Sequence, residues 1–502
     1  MTADALGEAR PRGERVLGHP RGLATLFGTE MWERFSYYGL RSILALFLVA
    51  PVTARGLGLT EPTAIAVVGI YGALVYLLAL PGGWLADRVL GARRAVLIGG
   101  LIIMSGHIGM AVPLEGPALV WAGLALIVTG TGLLKPNISC MVGRLYPPDE
   151  NARRDAGFSI FYFGINVGAF AAPFVVGDWL ADGNRWHLGF GAAAVGMALG
   201  LVWYVRGQRH LGDAGVRPEH RLTCAERAAF ARLAGGAAAL AAGGAVLWAV
   251  SGTFTLDRLT VVLTAGIVAV PVACFAYILF GDHGLTAGER ARMRAYVWLF
   301  AAAAIFWMIY DLSPSVLNLF AQHHTTLSIF GVGIQAATTQ AFNPLFILIF
   351  SPVFALAWVW LGDRVTASQK FGFALLMVGL SFALMAVAAG LAQTARVTVW
   401  WLVAVYLVQV FGELALSPVG LSVTSHLAPR AFQSQMLGVW FLSTAVGDAV
   451  GGQTGRLLAH MSQQAYFLTL AAVALCAGAA LFMFTRGLRG LMWDRAALTA
   501  RE

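Results

Sequence analysis

Charge is what this chain is short of. Of its 502 residues only 12% are Asp, Glu, Lys or Arg, about half the share that covers the surface of a soluble domain. With 58% hydrophobic residues and a mean hydropathy of +0.73, a water-soluble globular protein is excluded. The only lysines are Lys135 and Lys370. Four cysteines (Cys140, Cys224, Cys274, Cys476) are scattered without the spacing of a metal site or disulfide framework. HExxH, GxSxG and a phosphate loop are missing in any convincing context, which argues against an enzyme. His107 stands alone in an apolar run and reads as a packed histidine. The net charge of +9 is accounted for by arginine-rich loops, so no nucleic-acid partner is expected, and no cofactor or metal.

What the chain has is apolar runs of about twenty residues, each long enough to cross roughly 30 Å of hydrocarbon. They are long and continuous, so the expected fold is an all-α polytopic membrane protein rather than a barrel. Fourteen spans are expected, near 24–50, 61–81, 93–112, 117–143, 157–179 and 186–206, then 228–250 and 259–280, then 294–322, 333–361, 367–391, 397–425, 433–458 and 465–486. The opening "MTADALGEARPRGERVLGHPRG" has no apolar centre, so insertion is expected to begin with the first span. Arginines gather in "ADRVLGARR", "GRLYPPDENARR" and the long 206–232 loop, all following even-numbered spans. By the positive-inside rule both termini are expected in the cytoplasm of a plasma-membrane protein. The chain divides into a tail (1–23), six spans (24–206), a linker with two spans poor in polar chemistry (207–293), six spans (294–486) and a tail (487–502). Two six-helix halves with a site between them is a transporter plan.

The first span breaks its own rule: "GTEMWERFSYYGLRSILALFL" carries Glu30, Glu33, Arg34 and Arg41. At 100° per residue, Glu33, Arg34, Tyr37, Tyr38 and Arg41 fall at about −60°, 40°, −20°, 80° and 20° from Glu30, which is one face. The stripe is about 16 Å long. Snorkelling at a membrane boundary explains the first three charges and fails for Arg41, which "SILALFLV" follows directly. Intramembrane charges need partners, and other spans hold them: Lys135 beside Pro136, Asp311 near Pro314, and Glu413 one turn before Ser417 and Pro418. A structural salt bridge accounts for any one of these; together they point to a polar central cavity. Arg34, Arg41 and Lys135 face Glu30, Glu33, Asp311 and Glu413, leaving one acid over and free to take up a proton. Asp448 would add another acid.

These residues resemble the proton-dependent oligopeptide transporters of the major facilitator superfamily. Glu30, Glu33, Arg34, Phe35, Tyr37, Tyr38 and Gly39 match that family's first-helix pattern ExxERFxYYG. "GGWLADRVLGARR", "DAGFSIFYFGINVGAFAAP", "FNPLFILIFSPVFA" and "GELALSPVGLSV" are similar to later motifs, so the likeness covers nearly the whole chain. It implies the major facilitator fold and import of di- and tripeptides driven by protons. Residue by residue, it implies proton coupling through Glu30, Glu33, Arg34, Lys135 and Asp311. The peptide carboxylate would meet Arg34, Tyr38, Arg41 and Lys135, and its amino group Asn166, Asn343 and Glu413. Tyr37, Tyr76, Trp307, Tyr310, Ser417 and Trp440 would line the pocket, and Arg41–Asp311 and Lys135–Glu413 bridges would close one side. Outside the resemblance, Asn166 and Asn343 read better as packing amides.

One segment departs from the family. Where it commonly reads FWxxFEQxGS, this chain reads "FWMIYDLSPS": Asp311 keeps the acid, while Leu312 and Pro314 replace Gln and Gly. That leaves room for another substrate, such as a peptide-like drug or a metabolite, or for export. A membrane sensor fits less well, since no long soluble domain is attached.

Overall fold

The computed structural model describes residues 15–492 apart from positions 17, 114–115, 148 and 219–220. Fourteen long helices stand where fourteen spans were expected: α1 (Arg21–Val49), α2 (Glu61–Leu85), α3 (Ala92–Ala111), α4 (Ala118–Arg144), α5 (Asn151–Ala172), α6 (Trp186–Gly207), α7 (Cys224–Val250), α8 (Leu256–Phe280), α9 (Ala287–Tyr310), α10 (Phe342–Leu361), α11 (Ala367–Leu391), α12 (Trp400–Leu427), α13 (Gln433–Thr454) and α14 (Gln463–Met483). Eleven are long and apolar enough to cross a membrane. Helix α1 is not among them because Arg21, Glu30, Glu33, Arg34 and Arg41 lie within it. Of the two expected tails, most of each lies outside the described residues; Thr485–Met492 forms a short helix after α14.

Helices α7 and α9 start one to two turns before their expected spans, α11 starts where expected, and capping sets all three starts. Thr223 with Glu226, Thr286 with Glu289 and Thr366 with Gln369 form reciprocal capping boxes that fix the first turns of α7, α9 and α11. Hydropathy marks the lipid-embedded stretch, whereas the cap satisfies the orphan N–H groups and sets where the helix begins.

The prolines beside charges act differently from one another. Helices α4 and α12 run continuously through Pro136 and Pro418. Helix α9 does not: it ends at Tyr310, widens into a π-helical turn over Ser313–Leu317 and resumes at Asn318–His324. Two glutamines meet Ser313 at this break, Gln340 at its carbonyl and Gln409 at its hydroxyl. Gln340 donates to the Ser313 carbonyl at 2.9 Å and to the Tyr406 hydroxyl at 2.6 Å, and the Ser313 hydroxyl donates to Gln409 at 3.2 Å. Irregular backbone at membrane depth is tolerable only with such protein partners.

Helices α1 to α6 pack on one another, as do α9 to α14. The tightest pair, α3 and α4, meets through glycine: a Cβ on Gly99 would stand 2.7 Å from the Gly130 carbonyl oxygen, so the backbones touch. The two groups join along α2–α13, along α5–α10, and where Pro173–Leu180 meets Ala336–Ala341. Helix α8 lies against both α2 and α13, and α7 touches α2 through Phe230 and Trp84, ring centroids 4.5 Å apart.

With an even number of crossings, the start of α1 and the end of α14 share one face, the near face. Among the described residues, the side-chain bonds between the two helix groups cluster toward the opposite, far face. They are Arg41 to Asp311 at 2.5 Å, Asn318 to the Ser42 carbonyl at 2.6 Å, Gln335 to Asp178 at 2.8 Å and to Asp182 at 3.0 Å, and His323 to Glu61 at 3.2 Å. These bonds tie the two helix groups together on the far side. Toward the near face the groups meet chiefly along α2 and α13, where Tyr76 stacks on Phe441 at 6.4 Å.

Candidate functional site

The charged stripe of α1 turns inward, between the two helix groups. Glu30, Glu33 and Arg34 are 1%, 0% and 2% exposed, so their charges must be met by protein. Arg34 Nε lies 3.2 Å from Glu30 and 2.5 Å from Glu33. One guanidinium therefore serves two carboxylates, and spare capacity remains: Glu30 Oε2, Glu33 Oε1 and Arg34 Nη2 are buried with no partner in the protein. The next turns carry Tyr37, 4% exposed and stacked on Tyr71, with Arg34 and Arg41 at 5.0 and 5.9 Å from its ring centre. Tyr38 stands edge-on to it, half-buried.

Across the interface, Asp311 sits where α9 breaks and accepts from Arg41. Deeper on α9, Tyr310 donates to Glu413 of α12 and accepts from Asn343 of α10 at 2.6 Å. Three helices of the second group thus meet at the Tyr310 hydroxyl. Trp307 packs edge-on against Tyr310 at 5.4 Å, and its indole N–H has no partner. Ser417 lies half-buried one turn beyond Glu413.

The expected bridge between Lys135 and Glu413 is not formed. The Lys135 ammonium lies 4.1 Å from the Tyr76 ring centre, and Glu413 is occupied by Tyr310. The physical reason lies in the packing: α4 is held by α2, α3 and α5 on its own side, and α12 by α10, α11 and α13 on the other. Two further residues stand apart from the cluster. Asn166 spends its amide on the Tyr162 carbonyl of its own helix at 3.0 Å. Trp440 is 4% exposed, seated on Gly420 and edge-on to Phe371 at 6.0 Å, inside the second helix group. His107 is fully buried with neither ring nitrogen bonded, as a lone packed histidine would be.

Sequence reasoning passed over Gln340, Gln409 and Tyr71, and left Asp448 unplaced. The signal for Gln409 was there: it precedes Glu413 by one turn in an otherwise apolar run. Asp448 is 4% exposed on α13 and neither carboxylate oxygen has a donor. With it, buried acids exceed buried bases by two rather than one.

The chain is similar to known proteins over nearly its whole length. The POT family model matches residues 93–470. An uncharacterized transporter, YclF, of Bacillus subtilis (strain 168) is 41% identical over 95% of this chain and 96% of its own length. A di-/tripeptide transporter of Lactococcus lactis subsp. lactis (strain IL1403) is 41% identical over 95% of this chain and 97% of its own. A crystal structure of a mutant of the peptide transporter POT in complex with alafosfalin superposes with a TM-score of 0.87 and 46% identity, covering 95% of this chain and 97% of that one. Whole-length likeness of this kind, on a chain whose charged first helix and paired helix groups are in place, makes it a member of the POT family of transporters.

Proposed function

We propose that this protein is a proton-coupled symporter that imports di- and tripeptides across the plasma membrane by alternating access, with both termini in the cytoplasm and no chemical conversion of its cargo. The observation that carries the reading is the separation of charge. Arg34, Arg41 and Lys135 come from the first helix group and Glu413 from the second, as a zwitterion held at both ends requires. The peptide carboxylate is assigned to Arg34, Tyr38, Arg41 and Lys135. Its amino group is assigned to Glu413 with Asn343, and to Asn166 if that amide leaves its helix. Tyr37, Tyr76, Trp307, Tyr310 and Ser417 are the proposed pocket; Trp440, packed inside the second helix group, is left out of it.

The halves are 24–206 and 294–486, joined by the linker 207–293, and they rock about the site. The near face is then cytoplasmic, and the sealed far face makes this an inward-facing state. Arg41–Asp311 is the outer gate; a Lys135–Glu413 bridge belongs to a more closed state, in which substrate has left Glu413. Protons are carried by the cluster of Glu30, Glu33, Arg34, Lys135 and Asp311, and each entering charge gains about 2.3 kcal/mol per 100 mV of inside-negative potential.

Reconstituted protein is expected to take up labelled dialanine against a gradient only when the outside is more acidic. Glu33→Gln and Lys135→Ala should each abolish gradient-driven uptake. Folded protein that takes up no dialanine overturns the peptide assignment. In that case the alternative is a peptide-like cargo such as alafosfalin, with Leu312 and Pro314 the residues to revert first; the relative bound to alafosfalin favours testing that compound.

Tyr310→Phe removes the one hydroxyl shared by Glu413 and Asn343. Losing a hydrogen bond to a charged group costs about 1.5–3 kcal/mol. Peptide affinity should fall by roughly 10- to 150-fold if the amino group is held there. Competition binding on purified protein reads this directly, and an unchanged affinity would remove Glu413 from the amino-group site.

A further inference from the structure

Asp448 is the charged group that the site above leaves unused. It is wedged at the join of the two helix groups. A Cβ on Gly72 of α2 would lie 2.5 Å from Asp448 Oδ2, so Gly72 is the lid that lets the carboxylate fit. On its other side, Gly447 packs on Trp307 and Met308, the turn before Asp311. Asp448 follows Gly447 directly, which brings it beside the last turn of α9, where Asp311 binds Arg41 at 2.5 Å. Two ionised carboxylates can only accept, which is why both Asp448 oxygens stand without a donor. Arg41 supplies one positive charge for two acids, and its Nε has no partner.

The other titratable groups toward Asp448 are Tyr37 of α1, Tyr76 of α2, and Lys135 of α4 at longer range. Helix α8 brings Leu263, Ile267 and Thr264 to this part of α13, none of them charged. Helix α12 meets α13 through Gly420 and Trp440, nearer the other end. Nothing on any neighbouring element offers a second cation at contact distance among the described residues.

We propose that Asp311 and Asp448 form a carboxylate dyad that shares one proton under Arg41 whenever the far face is sealed. The proton lets one acid donate to the other while the ionised partner keeps Arg41. Two bare carboxylates beside one guanidinium repel, and an ionised carboxyl without a donor is the costly form in a dry interior. Opening the far face lifts Gly72 from Asp448, admits a proton from that side, and sealing traps it. Release falls to Asp311, whose side chain remains 9% exposed beside Arg41. The inference rests on the proton-symport reading and adds a binding site to it on α13.

The test measures how steeply dialanine accumulation depends on an imposed pH difference, scaled to each protein's own peptide exchange rate. Loss of one coupled proton lowers accumulation by about tenfold for each pH unit of gradient. Asp448→Asn is expected to show that fall while wild type shows proton-driven accumulation. If Asp448→Asn keeps the wild-type slope, the dyad is overturned and symport stands. If wild type itself shows no such accumulation, both readings fall together. Should Asp448→Asn lack exchange, Asp311→Asn carries the test. It leaves a single carboxylate for Arg41, so the same fall is expected, and an unchanged slope overturns the dyad.

Discussion

Replacing Arg34 with alanine is expected to cost more than any other single change in the protein. Among the described residues, the guanidinium is the only cation in salt-bridge contact with two carboxylates that are 1% and 0% exposed. Removing one member of a buried ionic cluster typically costs about 3–5 kcal/mol, because the others stay buried without compensation. Much of a marginal stability of about 5–15 kcal/mol would be lost. Arg34→Ala should therefore melt far below wild type in detergent and carry no peptide. Glu33→Gln should melt close to wild type, because Glu30 remains within 3.2 Å of the guanidinium. That contrast separates a folding role from a transport role. Equal melting of the two variants would mean that the cluster is not held together by Arg34.

The second large effect is conformational. Gly69 of α2 passes so close to α13 that a Cβ would stand 2.5 Å from the Asp448 carbonyl oxygen and 2.7 Å from Gly452 Cα. Both obstacles are backbone and cannot rotate away. Gly69→Ala therefore penalises the far-sealed state by about 1–3 kcal/mol, the usual cost of overpacking. It leaves the opposite state, in which these helices part, unpenalised. A differential of that size shifts a two-state equilibrium by about 5- to 150-fold. Cysteine placed at Ser42, now 1% exposed beneath Asn318, reports the shift through its rate of maleimide labelling in detergent. Faster labelling in the Gly69→Ala background is expected. An unchanged rate would show that α2 and α13 do not form the seal.

Composition and periodicity were enough for the membrane-embedded helical fold, the number of long helices and the inward stripe on α1. Those depend on local physics: the length needed to cross hydrocarbon, the 100° turn of a helix, and the cost of a charge in lipid. The family likeness was legible for the same reason, since its first motif is the stripe itself. Helix starts were less legible because threonine caps such as Thr286, not hydropathy, fix them. Proline was ambiguous: the same residue leaves α4 unbroken and breaks α9, where partners such as Gln340 and Gln409 arrive from other elements.

Partner choice was beyond the sequence. Its tally of buried charges allowed Lys135 to meet Glu413 as readily as Arg41 meets Asp311, yet only the second pair forms. Asp448 looked like one more polar residue until packing placed it under Gly72 and beside Asp311. A sequence sets which groups are costly to bury; only the approach of helices hundreds of residues apart, in one of two interconverting arrangements, decides which groups meet and which are left to hold a proton.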